Sequence, residues 1–194
     1  MDKVSYALGL SMGQNLMGSG VETLNYQDLA KGIEDVLTHQ QPQISYKEAQ
    51  QVLGKYFEEL EAKVAGQAKA AGEKFLQENA KREGVKTTAS GLQYEVLEPS
   101  LGQKPKATDT VRVHYEGTLI DGTVFDSSYR RGESITFPLN GVIRGWTEGL
   151  QLMSIGSKYK FFIPYQLAYG ERGAGASIPP YAALIFTVEL LGIE

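Results

Sequence analysis

The hydrophobic period of this chain changes once along its length. Up to about residue 84 the apolar positions recur every three or four residues; after residue 91 they alternate. Val4, Ala7, Leu8, Met12 and Leu16 predict a first helix over roughly residues 3–17, stopped by Gly18, Ser19 and Gly20. Asn25 suits an N-cap, and Leu29, Ile33, Val36 and Leu37 share one face of a second helix that ends before Pro42. Ser45 and Glu48 form a capping box for a third helix, and Ile44 can staple back onto its first turn. The helical pattern then continues to Gly84, a natural residue to follow a helix end. That is roughly 38 residues, or about 57 Å at 1.5 Å each.

The third helix crowds its large apolar residues at its start, in Val52, Leu53, Tyr56, Phe57 and Leu60. From Glu61 to Lys74 the only apolar side chain larger than alanine is Val64, so this stretch is expected to stand in water. Glu59/Lys63, Lys69/Glu73 and Glu78/Arg82 are expected i,i+4 pairs, each contributing about 0.3 kcal/mol. Three helices with so thin a core of their own point to self-association through residues 1–60; an ordinary bundle helix is the alternative.

Beyond Gly91, Leu92, Tyr94 and Val96 alternate with polar residues, as do Val111, Val113 and Tyr115. Ile120, Asp121, Gly122 and Thr123 give a hairpin signal. Strands are expected over 157–163 and 184–191, the last apolar on both faces and therefore central, with one short helix around 144–152. The fold class is α+β: an all-α domain over 1–84 with a long exposed helix, then an antiparallel sheet forming a half-barrel around one short helix over 85–194. Six of the seven prolines lie at or after Pro99, in keeping with that division.

Composition narrows the function. There are no cysteines, which excludes disulfides and thiolate chemistry. The 19 Lys and Arg against 23 Asp and Glu give a net charge of −4, and neither half is basic, so nucleic acid is not an expected partner. No apolar run reaches the ~20 residues of a membrane-spanning helix. The first residues carry no signal-peptide pattern, so the expected location is cytoplasmic; removal of an export signal would make it periplasmic or outer-membrane associated. Of the two histidines, His39 sits at a helix end near Pro42, and His114 alternates outward on a strand and reads as an ordinary sheet-surface residue. No spacing suggests a metal site, and Gly170 to Gly175 is glycine-rich without opening a helix, so it does not read as a phosphate loop. No cofactor is expected.

Six ordered motifs remain. They are Val113 to Gly117 (VHYEG), Asp121 to Ser128 (DGTVFDSS), Val142 to Trp146 (VIRGW), Leu167 to Gly170 (LAYG), Ile178 to Pro180 (IPP) and Leu184 to Phe186 (LIF). In this order they closely resemble the FKBP-type prolyl isomerases over about residues 88–194. The N-terminal part, with Ser5 to Gly9 (SYALG) and the long helix, resembles the Mip-like, FklB and FkpA bacterial group, whose members pair through N-terminal helices.

The resemblance implies a peptidyl-prolyl cis/trans isomerase acting on proline-containing unfolded or partly folded proteins, with chaperone activity from a homodimer. It implies a pocket walled by Tyr115, Phe125, Val142, Ile143, Tyr169 and Phe186, floored by Trp146, with Ile178 on its lip and Asp126 and Tyr169 in the catalytic roles. The Ile143 backbone N–H joins these two as a polar contact. Asp126 has a second reading, as a carboxylate that holds a neighbouring loop through Arg131. Macrolides of the tacrolimus or rapamycin type are the implied inhibitors. Three positions depart from the family: Ala174 and Ser177 stand where bulkier lip residues are common, and Ile135 where a pocket aromatic is common. A thinner lip predicts weaker macrolide binding. A rival function is a module that grips proline-bearing segments without turnover.

Overall fold

The computed structural model describes all 194 residues. The chain forms two compact units, residues 1–64 and 65–194. The first holds α1 (Lys3–Gly18), α2 (Tyr26–Leu37) and the beginning of α3 (Tyr46–Asn79). Asp2 caps α1 by accepting the Ser5 N–H at 2.8 Å, and Asn25 caps α2. Ser45 accepts the Glu48 N–H at 3.1 Å, half of the expected capping box. The α1 helix buries none of its residues, and Val4, Tyr6, Leu8, Leu10 and Met17 are all exposed. The apolar stripe of α2 faces Val52 and Leu53 of α3 across an open groove.

The second unit is built on one antiparallel sheet. Its strands are β1 (Val85–Thr87), β2 (Gln93–Glu98), β3 (Thr110–Leu119), β4 (Val124–Ser127), β5 (Ile135–Pro138), β6 (Lys158–Ile163) and β7 (Leu184–Ile193). The spatial order is β1-β2-β6-β7-β3-β4, with β5 also paired to β3. The expected central strand is β7, flanked by β6 and β3. A short helix, α4 (Ser128–Arg131), follows β4, and α5 (Arg144–Leu150) supplies Trp146 and Leu150 to the inner face. The core is formed by Val111, Val113, Leu139, Leu150, Met153, Phe161, Ile163, Leu184, Val188 and Leu190. In β3 the alternation is clean, with Val111, Val113 and Tyr115 buried and Arg112 exposed. The hairpin turn expected at Asp121 and Gly122 forms, Gly122 taking a φ of 89° that glycine adopts without strain.

The third helix departs from expectation at its end. It stops at Asn79 rather than running to Gly84. The buried Asn79 side chain donates to Gln93 Oε1 at 2.8 Å, and the Gln93 amide donates to the Leu76 carbonyl at 2.8 Å. These bonds pin the last helical turn to β2 and redirect the chain, and Gly84, with φ 84°, serves the turn into β1. Phe75 packs on Phe162 at 6.0 Å, and Gly72 sits buried against Ala183. The expected boundary at 84/85 therefore falls inside the second unit, because the last turns of α3 cover the outer face of the sheet. The exposed stretch holds only from about residue 61 to 71, where two alanines are half-buried.

None of the three expected i,i+4 pairs forms. Lys63 reaches Glu22 at 3.0 Å, and Glu59 is met by Lys55 at 3.8 Å. Lys69 lies over two tyrosine rings, and Arg82, outside the helix, bonds Glu95 at 3.1 Å. Glu59 thus takes the lysine four residues before it instead of the one after, while Lys63 and Arg82 find partners on other segments, where a helical-spacing rule does not look. No helix is long and apolar enough to cross a membrane.

Candidate functional site

Three strands and the start of α5 bring the site together. Gly117 of β3 lies opposite Asp126 of β4 on one side and Phe186 of β7 on the other. Because Gly117 has no side chain, the rings of Phe125 and Phe186 close over it, edge to face, with centroids 5.5 Å apart. Trp146 enters from α5 and is nearly fully buried. Its ring meets Tyr115 at 5.1 Å and 87° and Phe186 at 5.1 Å and 84°, the edge-to-face geometry favoured by the ring quadrupoles. The Trp146 Nε1–H is buried without a hydrogen-bond acceptor, among ring faces that act only as weak ones.

Above this floor lies a cavity of about 480 Å³. Tyr115, Phe125, Asp126, Val142, Ile143, Trp146, Tyr169, Ile178 and Phe186, all nine expected site residues, line it. Ile135, Ala174 and Ser177, the three departures, line it as well. Phe137 and Gly141 were not anticipated. Phe137 was readable in principle: it stands two residues from Ile135 on the same strand, and alternation puts both on one face. Its ring lies 5.3 Å from Trp146.

The polar groups divide into a closed set and a free set. Asp126 accepts from the Tyr115 hydroxyl on one carboxylate oxygen and from Arg131 on the other. Arg131 also donates to the Tyr115 hydroxyl at 3.0 Å. Burial pushes the Asp126 carboxyl up, but the bonds from Tyr115 and Arg131 outweigh it and leave it below the ordinary carboxylate value. Asp126 therefore stays charged, with both oxygens engaged. The Tyr115 hydroxyl is raised above its usual value by burial and then by Asp126.

Tyr169 belongs to the free set. It is 40% exposed, and its hydroxyl bonds to no group of the protein. Burial and then the Asp126 charge push it up, so it keeps its proton and remains a donor. The backbone N–H of Ile143, at the N-cap position of α5, has no partner either. The lip is stapled by a short antiparallel bridge, Ala174 N–H to Ile178 O at 2.9 Å and Ile178 N–H to Ala174 O at 3.1 Å. His114 lies outside the pocket, bonded to Ser128 Oγ at 3.0 Å and stacked on Tyr129. An apolar basin with free neutral donors and no engaged nucleophile suits binding and conformational work on an amide.

The chain matches a family model described as "FKBP-type peptidyl-prolyl cis-trans isomerase" over residues 102–191. It matches a second, "Domain amino terminal to FKBP-type peptidyl-prolyl isomerase", over residues 1–96. It is 52% identical over 194 residues to the FKBP-type 22 kDa peptidyl-prolyl cis-trans isomerase of Escherichia coli, covering 98% of this chain and 94% of that one. It is 41% identical over 200 residues to the outer membrane protein MIP of Legionella longbeachae, covering all of this chain and 85% of that one. The crystal structure of FkpA from Escherichia coli superposes with a TM-score of 0.77 at 40% identity, covering 99% of this chain and 95% of that one.

Proposed function

The chain belongs to the FKBP-type peptidyl-prolyl cis-trans isomerases, and we propose that it isomerises X-Pro bonds by holding a twisted amide, without covalent chemistry, in the basin above Trp146. The observation that carries this reading is the pairing of that apolar basin with the unpartnered Tyr169 hydroxyl. Rotation about an X-Pro bond meets a barrier of about 18–20 kcal/mol because amide resonance is broken. The planar amide is the more charge-separated form, so a water-poor basin disfavours it relative to the twisted one. Tyr169 and the Ile143 N–H are the donors for the substrate carbonyl oxygen. Asp126 holds Tyr115 and Arg131 in place and exchanges no proton.

The apolar walls favour an apolar residue before proline, since a charge would lose its water there. Comparing kcat/KM for Leu-Pro, Glu-Pro and Lys-Pro peptides tests this: Leu-Pro is expected to turn over fastest. Equal rates for all three would place the binding surface elsewhere. Tacrolimus-type macrolides are expected to inhibit, more weakly for the small lip residues Ala174 and Ser177.

Residues 1–84 form the helical part and 85–194 the isomerase domain, with the last turns of α3 packed on the latter. Self-association through residues 1–60 covers the exposed apolar side chains of α1 and the groove between α2 and α3, which otherwise face water. A dimer carries two pockets, and a long unfolded client held by one meets the second at high effective concentration. That supplies the chaperone activity. The cytoplasmic expectation gains no support from the comparisons. The Legionella relative's name supports the envelope alternative, which is the location proposed.

A further inference from the structure

The last turns of α3 grip the back of the pocket lip. Gly72 is seated so closely on the segment after the lip that a Cβ there would lie 3.1 Å from the Ala183 Cβ and 3.5 Å from the Ala183 nitrogen. Lys69, one turn earlier on the same helix face, places its ammonium 5.8 Å from the ring centre of Tyr165 and 5.7 Å from that of Tyr181. The two rings meet edge to face at 5.1 Å. Tyr181 has a φ of 58°, a conformation that a bulky residue adopts only when its surroundings impose it.

The same two tyrosines hold the turn that carries Tyr169. The Tyr165 carbonyl accepts the Gly170 N–H at 2.9 Å, and the Tyr181 N–H donates to the Gly170 carbonyl at 3.0 Å. A crevice of about 430 Å³ remains between α3 and this wall, so the seat has room to shift.

We propose that Lys69 and Gly72 are positioning residues for Tyr169: α3 holds Tyr165, Tyr181 and Ala183, and these aim the Tyr169 hydroxyl at the substrate. The inference rests on the reading of Tyr169 as a donor to the substrate carbonyl.

A double-mutant cycle on the full chain, read as kcat/KM on a Leu-Pro peptide, tests it. Gly72→Leu wedges α3 off Ala183, and Lys69→Met removes the ammonium while keeping the stem. Each is expected to lower kcat/KM by about two- to fivefold, the size of a lost cation–π contact. Lys69→Arg, which keeps the charge over the rings, is expected to restore the rate. Gly66→Leu is the control: it lies on the same helix with nothing within 4 Å of its Cβ position, and is expected to leave the rate unchanged. In a Tyr169→Phe background, Gly72→Leu and Lys69→Met are expected to have no further effect. Trp146 is the sole tryptophan, so its emission reports that the pocket floor of each variant is folded. Effects that add to those of Tyr169→Phe, or a Lys69→Met rate equal to that of the parent, would overturn the proposal. A Tyr169→Phe rate equal to that of the parent would instead remove the site reading on which it stands.

Discussion

Gly117→Ala sets two physical effects against each other. Glycine in a strand weakens it, and its backbone here lies outside the left-handed region, so alanine by propensity alone is expected to stabilise by about 0.5–1 kcal/mol. The structure points the other way. A Cβ on Gly117 would lie 2.6 Å from Phe125 Cζ and 2.7 Å from Phe186 Cε1, where ordinary carbon contacts are about 3.5–4.0 Å. Both rings must retreat by about 1 Å; Phe186 is held against Trp146 and Tyr115, and Phe125 lies edge-on against Phe186. Overpacking of that kind costs about 1–3 kcal/mol, so the net change is a loss of about 1–2 kcal/mol. For a unit of this size that lowers Tm by about 4–8 °C. The same displacement moves two walls of the basin, and a shift of about 1 Å in a positioning surface costs up to about a hundredfold in rate. Thermal unfolding followed by circular dichroism, alongside kcat/KM on a Leu-Pro peptide, checks both numbers. A raised Tm with unchanged turnover would refute the steric reasoning and show that the two rings do not define the working pocket.

Asp126→Ala removes the partner of both Tyr115 and Arg131, and a fall in kcat/KM of about tenfold is expected on a proline peptide, the size of a lost bond to a charged acceptor. Activity is expected to be flat from about pH 5 to 9. The Asp126 carboxyl lies below its ordinary value, so its contribution is complete above about pH 4 and is lost only as pH falls through the lower folded value. Tyr169 lies above its ordinary value, so its hydroxyl keeps its proton until pH rises beyond about 10. A bell-shaped profile centred near neutrality would contradict a mechanism without proton transfer. Residues 65–194 are expected to be monomeric by light scattering, with peptide activity retained and refolding activity much reduced, against a dimeric full chain; a monomeric full-length mass would contradict the proposed assembly. Residues 85–194 are expected to melt below residues 65–194, because loss of the last turns of α3 uncovers Phe162, a change of about 2 kcal/mol.

The pocket was legible only through the family resemblance, carried by short contiguous runs such as Val113 to Gly117 and Val142 to Trp146 in their order along the chain; taken singly, the same aromatic residues read as core. Strand alternation then placed Tyr115 inward and His114 outward without any structure. Phe137 escaped because its four-residue strand, ending in proline, was not recognised as a strand, so the alternation that pairs it with Ile135 was not applied. The seat of α3 escaped for a different reason. Gly72, Phe75 and Asn79 form a sparse stripe with one large apolar member, and nothing in the composition says that glycine is there for closeness to Ala183. Nor does spacing reveal that Asn79 ends the helix, since that depends on Gln93 arriving from β2. The charged pairs failed because Glu59 had a second lysine at helical spacing, Lys55, and because Lys63 and Arg82 met acidic residues on other segments.

The most direct test is exchange NMR of a Leu-Pro peptide with a catalytic amount of the isotope-labelled full chain, which reads turnover and location together. Cis–trans exchange of the peptide is expected to accelerate, with shifts concentrated at Phe125, Ile143, Trp146, Tyr169 and Phe186. Peptide exchange at its uncatalysed rate, or accelerated exchange with shifts away from those residues, would contradict the account.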